Sequence, residues 1–229
     1  MTRLRRYLGE RHRLLVWTLL VASGGWVALT EFSSELAAYA DRPTVIAALV
    51  SVWLAGVLVV RRRERRAWHR IVEETPFEPQ HDGGGRRPPL QRSLKGNVIT
   101  AEPVGRGFFR QRGIHVEATA GGVTDPIDVT LTYVASGGTE RGIRTGTDAL
   151  DEQFVFEVDA GSNIASVFDA EVQSTLLDIS LPGRLRIDGR HVAYEIPFTR
   201  VRPEELGTVS RAVATVTARM EHLVAAGRL

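Results

Sequence analysis

The amino-acid sequence predicts an α+β protein. It has an N-terminal two-helix transmembrane hairpin, followed by a two-layer domain of antiparallel strands packed on about two helices. Three observations predict it. Two runs near the N-terminus, Leu14–Thr30 and Pro43–Val60, hold no ionisable side chain over 17 and 18 residues. Beyond Gly96, several short segments alternate polar and apolar residues, as half-buried strands do. Two later segments instead repeat apolar residues at intervals of three and four, the period of a helix.

The two apolar runs come first. A helix rises about 1.5 Å per residue, so roughly 17–25 residues cross the ~30 Å hydrocarbon layer. A buried helical hairpin of a soluble protein keeps a polar stripe, and neither run has one. Arg3, Arg5, Arg6, Arg11 and Arg13 precede the first run, and Arg61, Arg62, Arg63, Arg65, Arg66 and Arg70 follow the second. Residues 31–42 between the runs carry Arg42 alone. The positive-inside bias then puts both flanks, and the C-terminal domain, on the cytoplasmic side of a multi-pass cell-membrane protein. Ala38-Tyr39-Ala40 matches a signal-peptidase site. It stands 10 residues from the apolar core across Glu31 and Glu35, and a second span starts just after it. Gly24 and Ala28, and Ser51 and Ala55, are small residues four apart, expected on the hairpin's own seam.

The segment RRRERRAWHRIVEE has no helix breaker before Thr75-Pro76 and is expected to continue the second span, completing a membrane unit over residues 1–75. Arg61, Arg62, Arg63, Arg65 and Arg66 beside the bilayer would contact anionic lipid at about 1 kcal/mol per charge. Trp68 is expected at the headgroup level. Residues 76–96 read as a linker, because separated prolines, Gly83-Gly84-Gly85 and Pro88-Pro89 oppose both helix and strand.

The domain at 97–229 opens with a strand or a lead-in at Asn97–Val104. His115–Ala120 and Ile127–Ala135 alternate across Gly121-Gly122 and are expected to form a hairpin. Residues 136–150 form a polar, Gly-rich connection, and Gln153–Val158 is a short strand. Ser162 suits a helix N-cap, before apolar positions Ile164, Val167, Phe168, Val172, Leu176 and Ile179. Gly183–Asp188 and Arg190–Phe198 flank Asp188-Gly189, a hairpin signal. Pro203-Glu204-Glu205 suits a helix first turn, and Leu206, Val209, Val213, Val216, Met220 and Leu223 form its apolar stripe.

Composition narrows the function. No cysteine is present, which removes disulfides, thiolate metal sites and a thiol nucleophile. Residues 1–96 hold 16 Lys and Arg against 9 Asp and Glu, a net of +7. Residues 97–229 hold 13 Arg against 18 Asp and Glu, a net of −5. A nucleic-acid-binding domain would carry the positive charge itself, so no nucleic-acid partner is expected. Gly105-Arg106-Gly107 is not followed by a dinucleotide fingerprint, and no phosphate-binding loop, G-x-S-x-G or H-E-x-x-H is present. His115 and His191 fall in separate expected hairpins and His222 on a helix, too few for a zinc site and read as solvated or packed.

Thr145, Gly146, Asp148 and Asp151 are the candidate ligand loop. Asp148 and Asp151 would bind a hard cation through oxygen, or cap a turn or the next element. The segment from Thr145 to Phe156 resembles a Thr-Gly-x-Asp-x-x-Asp-x-x-Phe-x-Val signature of membrane-tethered prokaryotic domains of unassigned biochemistry. The resemblance implies a shared fold over about residues 97–225 and carries over no catalytic residue. The sequence therefore implies a non-enzymatic membrane-anchored assembly or scaffold protein, with membrane lipids and a protein partner or second copy as partners, and no cofactor. The alternative is a membrane-tethered ligand sensor or enzyme using the 136–151 loop.

Overall fold

The computed structural model describes residues 42–80, 88–104, 113–123, 127–133, 147–158, 166–197 and 201–228. The chain divides into two compact units, residues 1–66 and 67–229. Helix α1 (Arg42–Glu74) runs through the boundary. It contains the second apolar run and the arginines after it, and it stops before Thr75-Pro76, as the sequence predicts. The first apolar run, Gly24, Ala28 and residues 38–40 lie outside the described residues. Among the described residues, no helix is long and apolar enough to cross a membrane.

Within the first unit, Ser51 and Ala55 are exposed, whereas Trp53, Gly56 and Val57 are half-buried. The first apolar run, against which Ser51 and Ala55 were expected to pack, lies outside the described residues. Two residues on a helix subtend about 200°, so Trp53 lies across the helix from Ser51. Trp68 is corrected from the headgroup level. It is 4% exposed and, with Ile71 and Phe77, belongs to the core of the second unit.

The second unit is an α+β domain whose described strands form one eight-stranded antiparallel sheet. In chain order the strands are β1 (Glu78–Pro79), β2 (Leu90–Leu94), β3 (Asn97–Val104), β4 (Gly113–Thr119), β5 (Asp128–Tyr133), β6 (Phe154–Val158), β7 (Arg184–Asp188) and β8 (His191–Ile196). Their order across the sheet is β1-β2-β3-β4-β8-β7-β5-β6. Helices α2 (Asp148–Gln153), α3 (Ala170–Leu177) and α4 (Pro203–Ala225) complete it.

Several expectations change here. β1 and β2 lie inside the stretch read as a linker, because Leu90 is fully buried opposite Ala101 and edge strands tolerate proline. β4 and β5 do not pair with each other. β4 pairs with β3 and β8, and β5 with β6 and β7, so the β7–β8 hairpin is inserted between them. Period two places side chains on a face but does not choose the neighbour. The β7–β8 turn is Gly189-Arg190, one residue later than expected. Asp188 pairs with His191, and Gly189 takes φ 56 while Arg190 stays out of the left-handed region. Glycine at the first loop position is what this two-residue turn needs. Helix α3 starts at Ala170, not after Ser162, which lies outside the described residues. Asp169 has extended φ and ψ and accepts from the Val172 amide at 3.0 Å, satisfying an end donor.

One face of the sheet makes the core. Ile99 and Ala101, Val116, Tyr194, Leu185 and Leu131 are fully buried in successive strands. Helix α4 packs on β3, β4 and β8 and against α3. Its expected stripe from Leu206 to Leu223 is buried at every position. Its middle, Ala212–Thr217, is buried all round, so its hydroxyls need internal partners. Ser210, Thr215 and Thr217 donate to the carbonyls four residues back at 2.8, 2.9 and 2.8 Å.

Candidate functional site

Two surfaces of the second unit bring chemistry-bearing side chains together. The first is a cleft of about 300 Å³ where the β2–β3 turn, α3 and α4 meet. Lys95 enters from the turn, where it takes φ 51 beside Gly96 at φ 85, the two left-handed positions of a tight hairpin. Its Nζ pairs with Glu171 on α3. From α4, Arg219 Nε donates to the Ser166 carbonyl at 3.0 Å and forms an ion pair with Asp169 Oδ2 at 3.0 Å. His222 lies one turn further along the same wall. Each anionic wall residue already has a cation, so the cleft is a brace joining three elements. Asp169 serves twice, capping α3 and holding Arg219.

A second brace stands one turn on. Glu221 of α4 accepts from Asn97 Nδ2 at 3.1 Å and from the Gly121 amide at 2.8 Å. It ties the helix end to β3 and to the turn after β4.

The second surface is the sheet face opposite the core. The strand register places Glu102, His115 and Glu195 side by side on β3, β4 and β8. Thr100, Glu117 and Ala193 form the adjoining row. His115 Nε2 lies 3.2 Å from Glu117 Oε2. Glu195 is exposed, and Glu102, His115 and Glu117 are half-buried. On β7, Arg184 stands opposite Glu195, and Arg186 donates to Asp188 at 3.1 Å. His191 lies on this same face, its Nδ1 3.4 Å from Thr119 Oγ1. The two histidines assigned to separate hairpins thus stand on adjacent strands.

No protein-family model matches the chain, and no curated protein matches it. Among solved structures, the crystal structure of the mycobacterial trehalose monomycolate transport factor A, TtfA, aligns at 11% identity. The alignment covers 69% of this chain and 93% of that one, with a TM-score of 0.42.

The candidate ligand residues divide. Thr145 and Gly146 lie outside the described residues. Asp148 and Asp151 fall on α2 rather than on a loop, both counted in its first turn, where carboxylates complement the helix dipole. Asp148 is exposed and Asp151 half-buried. The ends of α2 are clipped to α3 and its flanks. Thr147 Oγ1 donates to Gln173 Oε1 at 3.0 Å, and Gln153 Nε2 to the Ile179 carbonyl at 2.5 Å. Among the described residues, no three His, Asp or Glu side chains are grouped to hold a metal ion. Arg61, Arg62, Arg63, Arg65 and Arg66 are all exposed on α1. Sequence reasoning missed the Glu102–His115–Glu195 row, because Glu195 lies 80 residues beyond His115 and the β7–β8 hairpin was given no neighbour on its β8 side. Alternation alone did put His115 and Glu117 on the polar side of their strand.

Proposed function

We propose that this is a non-enzymatic, membrane-anchored assembly or scaffold protein whose C-terminal α+β domain is a cytoplasmic interaction module. One observation carries the reading. Val50, Val52, Leu54, Leu58 and Val59 on α1 are 47–64% exposed, immediately before a run of exposed arginines on the same helix. Large apolar side chains in water forgo about 25 cal/mol for each Å² left unburied. A contiguous exposed apolar surface marks a membrane or partner contact. The arginines that follow supply the charge that keeps this end on the cytoplasmic side and beside anionic headgroups. The first apolar run would return the chain across the bilayer as a hairpin.

The test is fractionation of cells expressing the full chain, followed by alkaline carbonate extraction of the membranes. The protein is expected to stay in the pellet until detergent is added. Protease added to intact spheroplasts is expected to leave the domain whole and to degrade it after lysis. Recovery in the soluble fraction overturns the anchor, and cleavage in intact spheroplasts overturns the orientation.

A further inference from the structure

Resting on the membrane-anchored reading, we infer that Arg63 and Arg66 of α1 hold the phosphate of one anionic phospholipid, whose acyl chain lies along Val59 and Val52. The order of side chains along a single line of this helix names the ligand.

Charge calls for an anion. Arg62, Arg63, Arg65 and Arg66 are all exposed on α1. Arg62 stands three and four residues from Arg65 and Arg66, and Arg63 stands three from Arg66. At these spacings like charges on a helix repel. Glu64, the one carboxylate among residues 61–66, is 7% exposed and already engaged within the chain. Among the described residues, none of the four arginines has an acidic partner. An anion from outside the chain relieves that repulsion.

Position decides which arginines take it. Successive residues of a helix turn by about 100°, so Val52, Val59, Arg63 and Arg66 fall within about 60° of one another. Val52 and Val59 are each 52% exposed, which makes this one open line, apolar first and cationic after. Leu54, Leu58, Arg61 and Arg65 make an adjoining line, but Arg61 already has a partner within the chain, which leaves Arg65 alone there. Arg63 and Arg66 are about 4.5 Å apart along the axis. They can share one phosphate, which guanidinium groups grip through paired N–H donors. The apolar run ends at Val60, so the two arginines begin about 4.5 and 9 Å past it. The headgroup layer outside the ~30 Å hydrocarbon is about 5–8 Å deep on each side. Helix side chains lean toward the N-terminus, here the bilayer end, so both guanidinium groups tip back to the phosphate level. A phospholipid presents acyl chain and then phosphate in the same order. Free phosphate matches the arginines alone, and a diacylglycerol the valines alone.

For the test, full-length protein in neutral detergent is titrated with dioleoyl-phosphatidylglycerol, and native mass spectrometry counts the bound lipid. One lipid per chain is expected to saturate first, with neither dioleoylglycerol nor glycerol 3-phosphate retained. Equal retention of glycerol 3-phosphate assigns the site to free phosphate esters and overturns the lipid. Equal retention of dioleoylglycerol overturns the role of the arginines. Two double variants separate the site from general attraction, since each removes two charges from the same helix. Arg63→Gln with Arg66→Gln is expected to weaken phosphatidylglycerol binding at least about tenfold, a loss of ~1.4 kcal/mol. Arg62→Gln with Arg65→Gln is expected to weaken it about twofold, the long-range share that survives screening at ~0.15 M salt. Equal losses in the two pairs, or lipid uptake that never saturates, overturn the inference. Carbonate extraction reads the anchor separately. Arg63→Gln with Arg66→Gln is expected to stay in the membrane pellet, so a failed lipid site and a failed anchor are told apart.

Discussion

Gly183 and Tyr194 show how single residues hold this domain. A Cβ on Gly183 would stand 2.3 Å from Tyr194 Cε1 and 2.6 Å from the Glu195 carbonyl oxygen. Neither the ring nor the β8 backbone has space to move, since Tyr194 is fully buried. Gly183→Ala is therefore expected to destabilise the domain by about 1–3 kcal/mol or more, read as a fall in Tm by circular dichroism. The Tyr194 hydroxyl donates to the Leu181 carbonyl at 2.7 Å. Tyr194→Phe leaves that carbonyl unpaired and should cost about 1–3 kcal/mol. Burial, with Tyr133 nearby adding to it, raises the Tyr194 pKa well above its ordinary value of 10.0. The unfolded chain then releases this proton at lower pH than the folded one. Its contribution is complete below pH 10.0 and is lost as pH rises beyond it. Thermal melts in alkaline buffer are expected to show a steeper loss of stability in the native protein than in Tyr194→Phe. Equal slopes would assign the alkaline loss to other groups.

Among the elements, α3 and α4 depend on caps that also act as joints. Asp169→Ala removes the Val172 cap and the Arg219 partner together. The expected loss is about 1–2 kcal/mol, typical of an N-cap deletion. Asp169→Asn keeps the cap acceptor and loses the ion pair. A melt midway between the native and Ala variants would show that both interactions contribute. At the start of α4, Glu205 reaches back to the Arg202 amide at 2.9 Å, and Pro203 opens the first turn. Both features are local, which is why the bounds of α4 were legible from Pro203-Glu204-Glu205 and its apolar stripe. The start of α3 was not. Phe168 packs edge-on against Phe156 at 5.4 Å, a contact with a strand that sequence spacing does not reveal. Apolar period thus recorded which residues are buried, including Val167 and Phe168, but not where the backbone turned helical.

Over the whole molecule, charge is divided between a basic N-terminal part of net +7 and an acidic domain of net −5. The arginines on α1 are expected to set vesicle affinity, and the domain to contribute repulsion. Replacing Arg62, Arg63, Arg65 and Arg66 with Gln should lower flotation with anionic vesicles, at about 1 kcal/mol per charge for surface-held residues. Unchanged flotation would place lipid contact elsewhere.

The sequence by itself determined the α+β class, the long helix ending before Thr75-Pro76, and helix α4. Each of these is written in neighbours: caps, breakers and periods of two or 3.6 that act within a few residues. The tertiary structure alone decided that β1 and β2 join the sheet, that β7 and β8 separate β4 from β5, and that Glu102, His115 and Glu195 stand in one row. Strand pairing is a competition among distant segments with the same alternating pattern, settled by packing on α4 and by register. A surface assembled that way has no local signature in the chain.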